Sequence, residues 1–177
     1  MKRVIYTKNF NLLVSTSRYN EPNAKSELWF TLLMCGDTYP IITGIQFSGL
    51  ITALTHLNPK KVILRINKIL KKKRDFFQFI LKIVPIDFIC ETDTKTINSI
   101  IQENFKEYIN EKDTFKITLK RRHHEKIERN KFIEEIAKKI DNKVDLENPD
   151  IIIRIEILGN ISGVSILKKN EIVKTTR

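Results

Sequence analysis

The run IIIRIEILGNISGVSILKK, residues 151–169, decides how the second half of the chain is read. Side chains branched at Cβ pack readily on a pleated surface, so its isoleucines favour extended backbone. The Gly159-Asn160 pair at its centre is a turn signal, and two strands about a tight turn are expected. Immediately upstream, Asn148-Pro149-Asp150 restricts the backbone and supplies local hydrogen bonds, as a turn that starts a strand does. Before that turn Phe132, Ile133, Ile136, Ala137 and Ile140 recur at helical spacing. TFKITLKRR, residues 114–122, alternates as a strand, with Phe115, Ile117 and Leu119 on one face and Lys116, Thr118 and Lys120 on the other, which makes its far face cationic. A helix with a stripe of Ile97, Ile100, Ile101, Phe105 and Tyr108, capped by Asp93 or Thr94, opens this half.

Working outward to the front half, NLLVSTS, residues 11–17, reads as a core strand. A helix follows, with Pro22 in its first turn and Ala24, Leu28, Leu32, Trp29 and Leu33 at helical spacing, stopping at Gly36. PIITGIQFSGLITALTHL, residues 40–57, offers two β-rich runs about Ser48-Gly49. Asn58-Pro59 opens a second helix whose buried stripe is Val62, Ile63, Ile66, Ile69 and Leu70. FFQFILKIVPID, residues 76–87, supplies a last strand. The order β-α-β-β-α-β is the ferredoxin-like plan. The expected fold class is α+β, a ferredoxin-like domain at 1–90 followed by an α/β domain at 91–177. Trp29 and most phenylalanines sit within apolar stripes and are expected in the cores.

The 32 Lys and Arg against 21 Asp and Glu leave a net charge of +11, which favours a polyanionic partner through phosphate neutralisation and counterion release. The excess is uneven. Residues 1–90 carry 14 basic and 5 acidic side chains, a net +9, whereas 91–177 carry 18 and 16, so the halves read as separate units. Cys35 and Cys90 stand alone, suggesting buried thiols and neither a disulfide framework nor a cysteine-rich zinc site. No apolar run approaches the roughly 18 residues a membrane span needs, and the N-terminus does not read as a signal peptide, so a cytoplasmic protein with no membrane role is expected.

KITLKRRHH, a short helix, VDLENPDIIIRIEILG and GVSILKK together resemble the THUMP domain, an RNA-binding module of several tRNA-modifying proteins, over about residues 92–177. NLLVSTS, the TGIQFSGLI hairpin and FILKIVPID followed by ETD resemble the ferredoxin-like domain that precedes THUMP. The resemblance is to stand-alone THUMP proteins similar to the tRNA acetylation adaptors. It implies a chain that is not an enzyme, needs no cofactor, holds the acceptor 3′ end of tRNA, and presents the tRNA to a separate RNA cytidine acetyltransferase for N4-acetylcytidine formation. Other THUMP proteins append a catalytic domain, and none is expected in this chain. Glu128 and Arg129 depart from the family's pattern, where many relatives open the helix with a hydroxyl residue.

Lys120, Arg121 and Arg122 leave a strand end just before a helix, where guanidiniums and helix-terminal N–H groups can meet one phosphate. Arginine's planar fork also stacks on splayed bases. The competing reading is an ordinary charged surface with Glu125 and Glu128 as partners. His123 and His124 extend the candidate RNA surface. Adjacent residues on an extended segment point to opposite sides and cannot share one metal without a bend, so no metal site is expected. A small RNA-processing enzyme using His123, His124 and Glu125 is the rival from another class, and an adaptor for a different tRNA-modifying enzyme is a third reading. Lys71, Lys72, Lys73 and Arg74 crowd a helix C-terminus, where the helix dipole favours cations. Of these, Lys72, Lys73 and Arg74 are candidate phosphate contacts, with Lys82, Lys168 and Lys169 extending a basic path. Neither a phosphate-binding glycine loop nor a nucleophile elbow occurs.

Overall fold

The computed structural model describes residues 9–122 and 127–175. In chain order the elements are β1 (Leu12–Thr16), α1 (Glu21–Met34), β2 (Ile41–Gly44), β3 (Leu50–Leu54), α2 (Pro59–Lys72), β4 (Ile80–Pro85), β5 (Phe88–Glu91), α3 (Thr94–Asn104), β6 (Phe115–Arg122), α4 (Arg129–Ala137), β7 (Ile151–Leu158), β8 (Ile161–Lys168) and β9 (Val173–Lys174). They form two compact units. One holds residues 9–86 with 170–175, and the other holds 87–122 with 127–169.

In the first unit the sheet runs β2-β3-β1-β4-β9, with every neighbouring pair antiparallel. Helix α2 begins at Asn58, whose side chain accepts from Lys61 N, and Pro59 fills a position whose N–H would have no helical partner. Val62, Ile63 and Ile66 then join Ala24, Leu28 and Leu32 of α1 over Leu12, Val14, Ile51 and Ile83. The Glu27 carboxylate accepts the backbone N–H groups of Gln78, Phe79 and Ile80, at 2.5, 3.1 and 2.8 Å. That clamp ties the middle of α1 to the start of β4. Gly49 has φ +76°, and a Cβ there would lie 2.9 Å from the Thr16 carbonyl, so the loop before β3 requires glycine. Trp29 and Phe30 depart from expectation: they are 51% and 57% exposed, because only one side of α1 meets the sheet.

In the second unit the sheet runs β5-β8-β7-β6. Strands β7 and β8 turn at Gly159-Asn160, with Gly159 at φ +61°, and pair antiparallel along their length. β6 pairs parallel to β7. Ile151, Ile153, Ile155 and Ile157 meet Phe115 and Leu119, closed over by Ile97 and Ile101 of α3 and by Phe132 and Ile136 of α4. Asp93 caps α3 by accepting from Thr96 N at 2.8 Å, and these hydrogen bonds hold its carboxyl below the usual range. The turn at Asn148-Pro149-Asp150 works through Asp150, whose carboxylate accepts the backbone N–H and hydroxyl of Thr114 at 2.8 and 2.9 Å.

The units differ from a division at residues 90 and 91 at two places. β5 belongs to the second sheet, pairing Phe88 with Val164 and Glu91 with Ile161. β9 returns to the first sheet, pairing Lys82 with Lys174 and Ile83 with Val173. Both strands are too short to carry a periodic signal, and only pairing at a sheet edge defines them. Both cysteines are free and buried. Burial, with the Asp93 and Glu91 charges adding to it, pushes the Cys90 thiol up to about 12. Among the described residues no helix is long and apolar enough to cross a membrane.

A fragment of residues 87–169 is expected to unfold cooperatively, whereas one of residues 91–177 lacks most of β5 and Asp87, whose carboxylate accepts Ile166 N, and should melt at clearly lower temperature by circular dichroism. Cys90, raised in the fold, stabilises the protein below the ordinary thiol range, and that contribution is lost as pH rises from about 9 toward about 12. Native protein should therefore resist thiol-specific alkylation at pH 8, and both thiols should react once it is unfolded in guanidinium.

Candidate nucleic-acid interface

Among the described residues β6 is the edge strand of the second sheet, and its neighbour β7 runs parallel to it, so the chain between them must cross over the sheet. The crossover includes α4. That helix begins at Glu128, whose carboxylate accepts from Asn130 N at 3.0 Å and Lys131 N at 2.8 Å. The N–H groups of Lys131 and Asn130 hold the Glu128 carboxyl below its usual range. A carboxylate therefore fills the place a phosphate would need, and the expected phosphate seat at this helix start is already taken.

The alternation of β6 separates its last two arginines. Arg121 falls on the face of Phe115, Ile117 and Leu119, which is the core side. Its Nη1 donates to the Ile127 carbonyl at 2.5 Å, and its charge helps to keep Glu128 ionised. Arg121 thus braces the way into α4. Lys116, Thr118, Lys120 and Arg122 share the opposite face. Lys116 Nζ donates to the Leu146 carbonyl at 3.3 Å. Lys120 stands beside Glu156 in register, but the Glu156 carboxylate is held by Arg154, with Nε 2.7 Å away and both side chains buried. Lys120 and Arg122 remain exposed, and among the described residues no carboxylate lies within ion-pair distance of either.

At its start β6 is covered on the outer side, where Phe115 N donates to the Lys143 carbonyl and Asp145 N donates to the Phe115 carbonyl. No such cover is present over residues 120–122 among the described residues. Two cations on one face of a strand end, without a carboxylate partner among the described residues and about 7 Å apart along the strand, suit consecutive phosphates of an extended polynucleotide.

The other candidates do not gather there. Lys168 pairs with Ile151 and Arg122 with Leu158, so Lys168 and Lys169 lie at the far end of the sheet, about 23 Å away along β7. Lys169 Nζ reaches Asn148 Oδ1 at 3.5 Å. Lys82 lies within β4 between β1 and β9 and is partly buried. Lys71, Lys72, Lys73 and Arg74 are exposed at the C-terminal end of α2, where the helix dipole favours cations. His123, His124 and Glu125 lie outside the described residues. The remaining histidine, His56, contacts the buried Asp37 carboxylate with Nδ1 2.7 Å from Oδ1, a pair that no sequence pattern announces. Among the described residues no three His, Cys, Asp or Glu side chains could hold a metal ion.

Residues 91–167 match the family model of the THUMP domain. The second unit carries a THUMP domain. A curated relative, the THUMP domain-containing protein 1 homolog of Drosophila melanogaster, is 29% identical over 108 residues, 58% of this chain and 33% of that protein. A Pyrococcus horikoshii protein of known crystal structure is 20% identical, with a TM-score of 0.68 over 93% of this chain and 55% of its own. A 4-thiouridine synthetase, solved as an RNA complex with bound ATP, is 14% identical with a TM-score of 0.53 over 94% of this chain and 42% of its own. The two structures share the fold of this chain. The chain spans a third of the curated relative it matches and about half of these structures.

Within the THUMP domain the two arginines should separate in experiment. Arg121→Ala removes the bond to the Ile127 carbonyl and should lower stability by about 1 kcal/mol. Arg122→Ala, at an exposed residue with no ion-pair partner among the described residues, should stay within about 0.5 kcal/mol of the parent in urea unfolding.

Proposed function

We propose that the protein binds tRNA through its THUMP domain and acts as an adaptor, holding the acceptor 3′ end while a separate RNA cytidine acetyltransferase modifies a cytidine elsewhere on the molecule. The observation that carries this reading is the pair Lys120 and Arg122 at the end of β6 in that domain, exposed and, among the described residues, without a carboxylate partner. His123 and His124, next in the sequence, are further candidate contacts in this reading, with Lys72, Lys73 and Arg74 as a second phosphate-tracking group on the first unit. That unit is read as a ferredoxin-like fold with β9 added to it, which is supported by the strand order β2-β3-β1-β4.

The adaptor's contribution is placement. Binding one end of the tRNA raises the effective concentration of a distant base at the partner's catalytic site, which needs no catalytic group or cofactor in this chain. The reading also sets the protein in the cytoplasm. The RNA complex solved for the 4-thiouridine synthetase is consistent with RNA recognition by this architecture, although the residues used here are this chain's own.

Salt titration tests the contact. Replacing Lys120 and Arg122 with alanine should weaken tRNA binding and reduce the log-log salt slope by about 1 to 2, at roughly 0.7–0.9 per neutralised phosphate. The parent should bind tRNA with an intact 3′ end more tightly than the same tRNA trimmed to a blunt acceptor stem. Equal affinities would remove acceptor-end recognition. Mass spectrometry of tRNA nucleosides after gene deletion identifies the pathway, and a normal N4-acetylcytidine level would remove the acetyltransferase from it.

A further inference from the structure

The first unit carries an exposed apolar surface that RNA binding leaves unexplained. Trp29 and Phe30 of α1 project beside β2 and, with Lys25, Ser26, Pro40 and Ile42, line an open groove of ≈ 650 Å³. Met34, one turn further along α1, and Ile41 are exposed as well. β2 is the edge of its sheet, pairs with β3 alone among the described residues, and is only four residues long. A row of backbone N–H and C=O groups is therefore open to an incoming strand. Next to it, Trp29, Phe30 and Met34 lie on a part of α1 that is exposed to solvent.

Lys25 lies where β2 makes room for it. A Cβ on Gly44 would stand 3.0 Å from Lys25 Nζ, so the absence of a side chain there seats the ammonium against the strand. The two carboxylates of α1 are engaged elsewhere, Glu21 with Gly49 N and Ser48 Oγ, and Glu27 with residues 78–80. Among the described residues Lys25 is the only charged group lining the groove, and no carboxylate pairs with it. The described part of this unit carries 12 basic and 5 acidic side chains, which favours an anionic visitor.

We propose that this groove docks an extended, acidic and apolar segment of a partner protein, which adds a strand to the free edge of β2. Its backbone pairs with residues 41–44, alternate apolar side chains pack against Trp29, Phe30 and Ile42, and a carboxylate meets Lys25. Protein suits the site better than RNA. Exposed tryptophan, phenylalanine, methionine and isoleucine with a single cation match the composition of a protein interface, whereas a polynucleotide needs a succession of cations along its backbone. The proposal rests on the adaptor reading only in requiring a protein partner.

The test replaces Trp29, and separately the exposed Tyr39, with the photoreactive residue p-benzoylphenylalanine in the full chain, expressed in its own cells. Irradiation followed by mass spectrometry should give an adduct with an acidic, apolar segment of another protein. A synthetic peptide of that segment should protect the β2 amides from hydrogen exchange. It should also bind Lys25→Glu and the double variant Trp29→Ala/Phe30→Ala at least about tenfold more weakly than the parent, at unchanged melting temperature. Adducts with nucleotides alone, adducts with a second copy of this chain, no adduct from either position, or a peptide that binds without protecting β2 would each overturn it. tRNA affinity is measured on the same samples: its loss from the parent sinks the adaptor reading, whereas its persistence in the groove variants keeps the two surfaces distinct.

Discussion

All eight residues of β7 are buried, and the THUMP domain is organised around that requirement. A strand covered on both faces must lie inside its sheet, so β7 needs a neighbour on each side. The two-residue turn at Gly159-Asn160 supplies β8 antiparallel to it, and β6 supplies the other neighbour in parallel. A parallel partner cannot be reached by a hairpin, which is why a helical crossover intervenes. The same arrangement sends β6 to the edge, and an edge strand is where cations can stand in water next to ordered backbone. Arg154 and Glu156 interrupt the run of isoleucines, and they are tolerated there because each neutralises the other at hydrogen-bond distance.

Charge at the end of β6 is sorted by parity. Four basic side chains occur at residues 116, 120, 121 and 122, and they have three different fates. Lys116 reaches a carbonyl, the exposed Arg121 holds the entrance of α4, and Lys120 and Arg122 are exposed without a carboxylate partner among the described residues. A carboxylate in turn closes the start of α4, so this part of the domain presents side-chain cations to a ligand and no helix terminus. Of the three basic residues that end β6, the proposed contact with RNA uses Lys120 and Arg122, while Arg121 is bonded to the Ile127 carbonyl.

In the first unit the Glu27 carboxylate gathers three successive backbone N–H groups, and that bond set holds α1 against the beginning of β4. With one side of the helix so fixed, its opposite side faces outward over the edge strand β2. The exposed tryptophan and phenylalanine follow from that orientation. A helix whose apolar residues wrap more than one side cannot bury them all against a single sheet.

From its sequence alone the protein is legible as two α+β units, because isoleucine runs, helical stripes and glycine or proline turns are local signals set within a few residues. Phe115, Ile117 and Leu119, the stripe Ile97, Ile101 and Phe105, and the turn at Asn148-Pro149-Asp150 all occupy the roles their pattern assigns. The residue types of the candidate interface were legible too, and so was their place at the end of a strand. Tertiary structure alone decided three other matters: β5 and β9 change sheets, Trp29 and Phe30 face outward, and Lys168 lies at the opposite end of the sheet from Arg122. Each depends on which strand pairs with which. A sequence fixes how a strand alternates, whereas the energy of joining an edge, covering a face or freeing a cation comes from groups distant in the chain that only the folded pairing brings together.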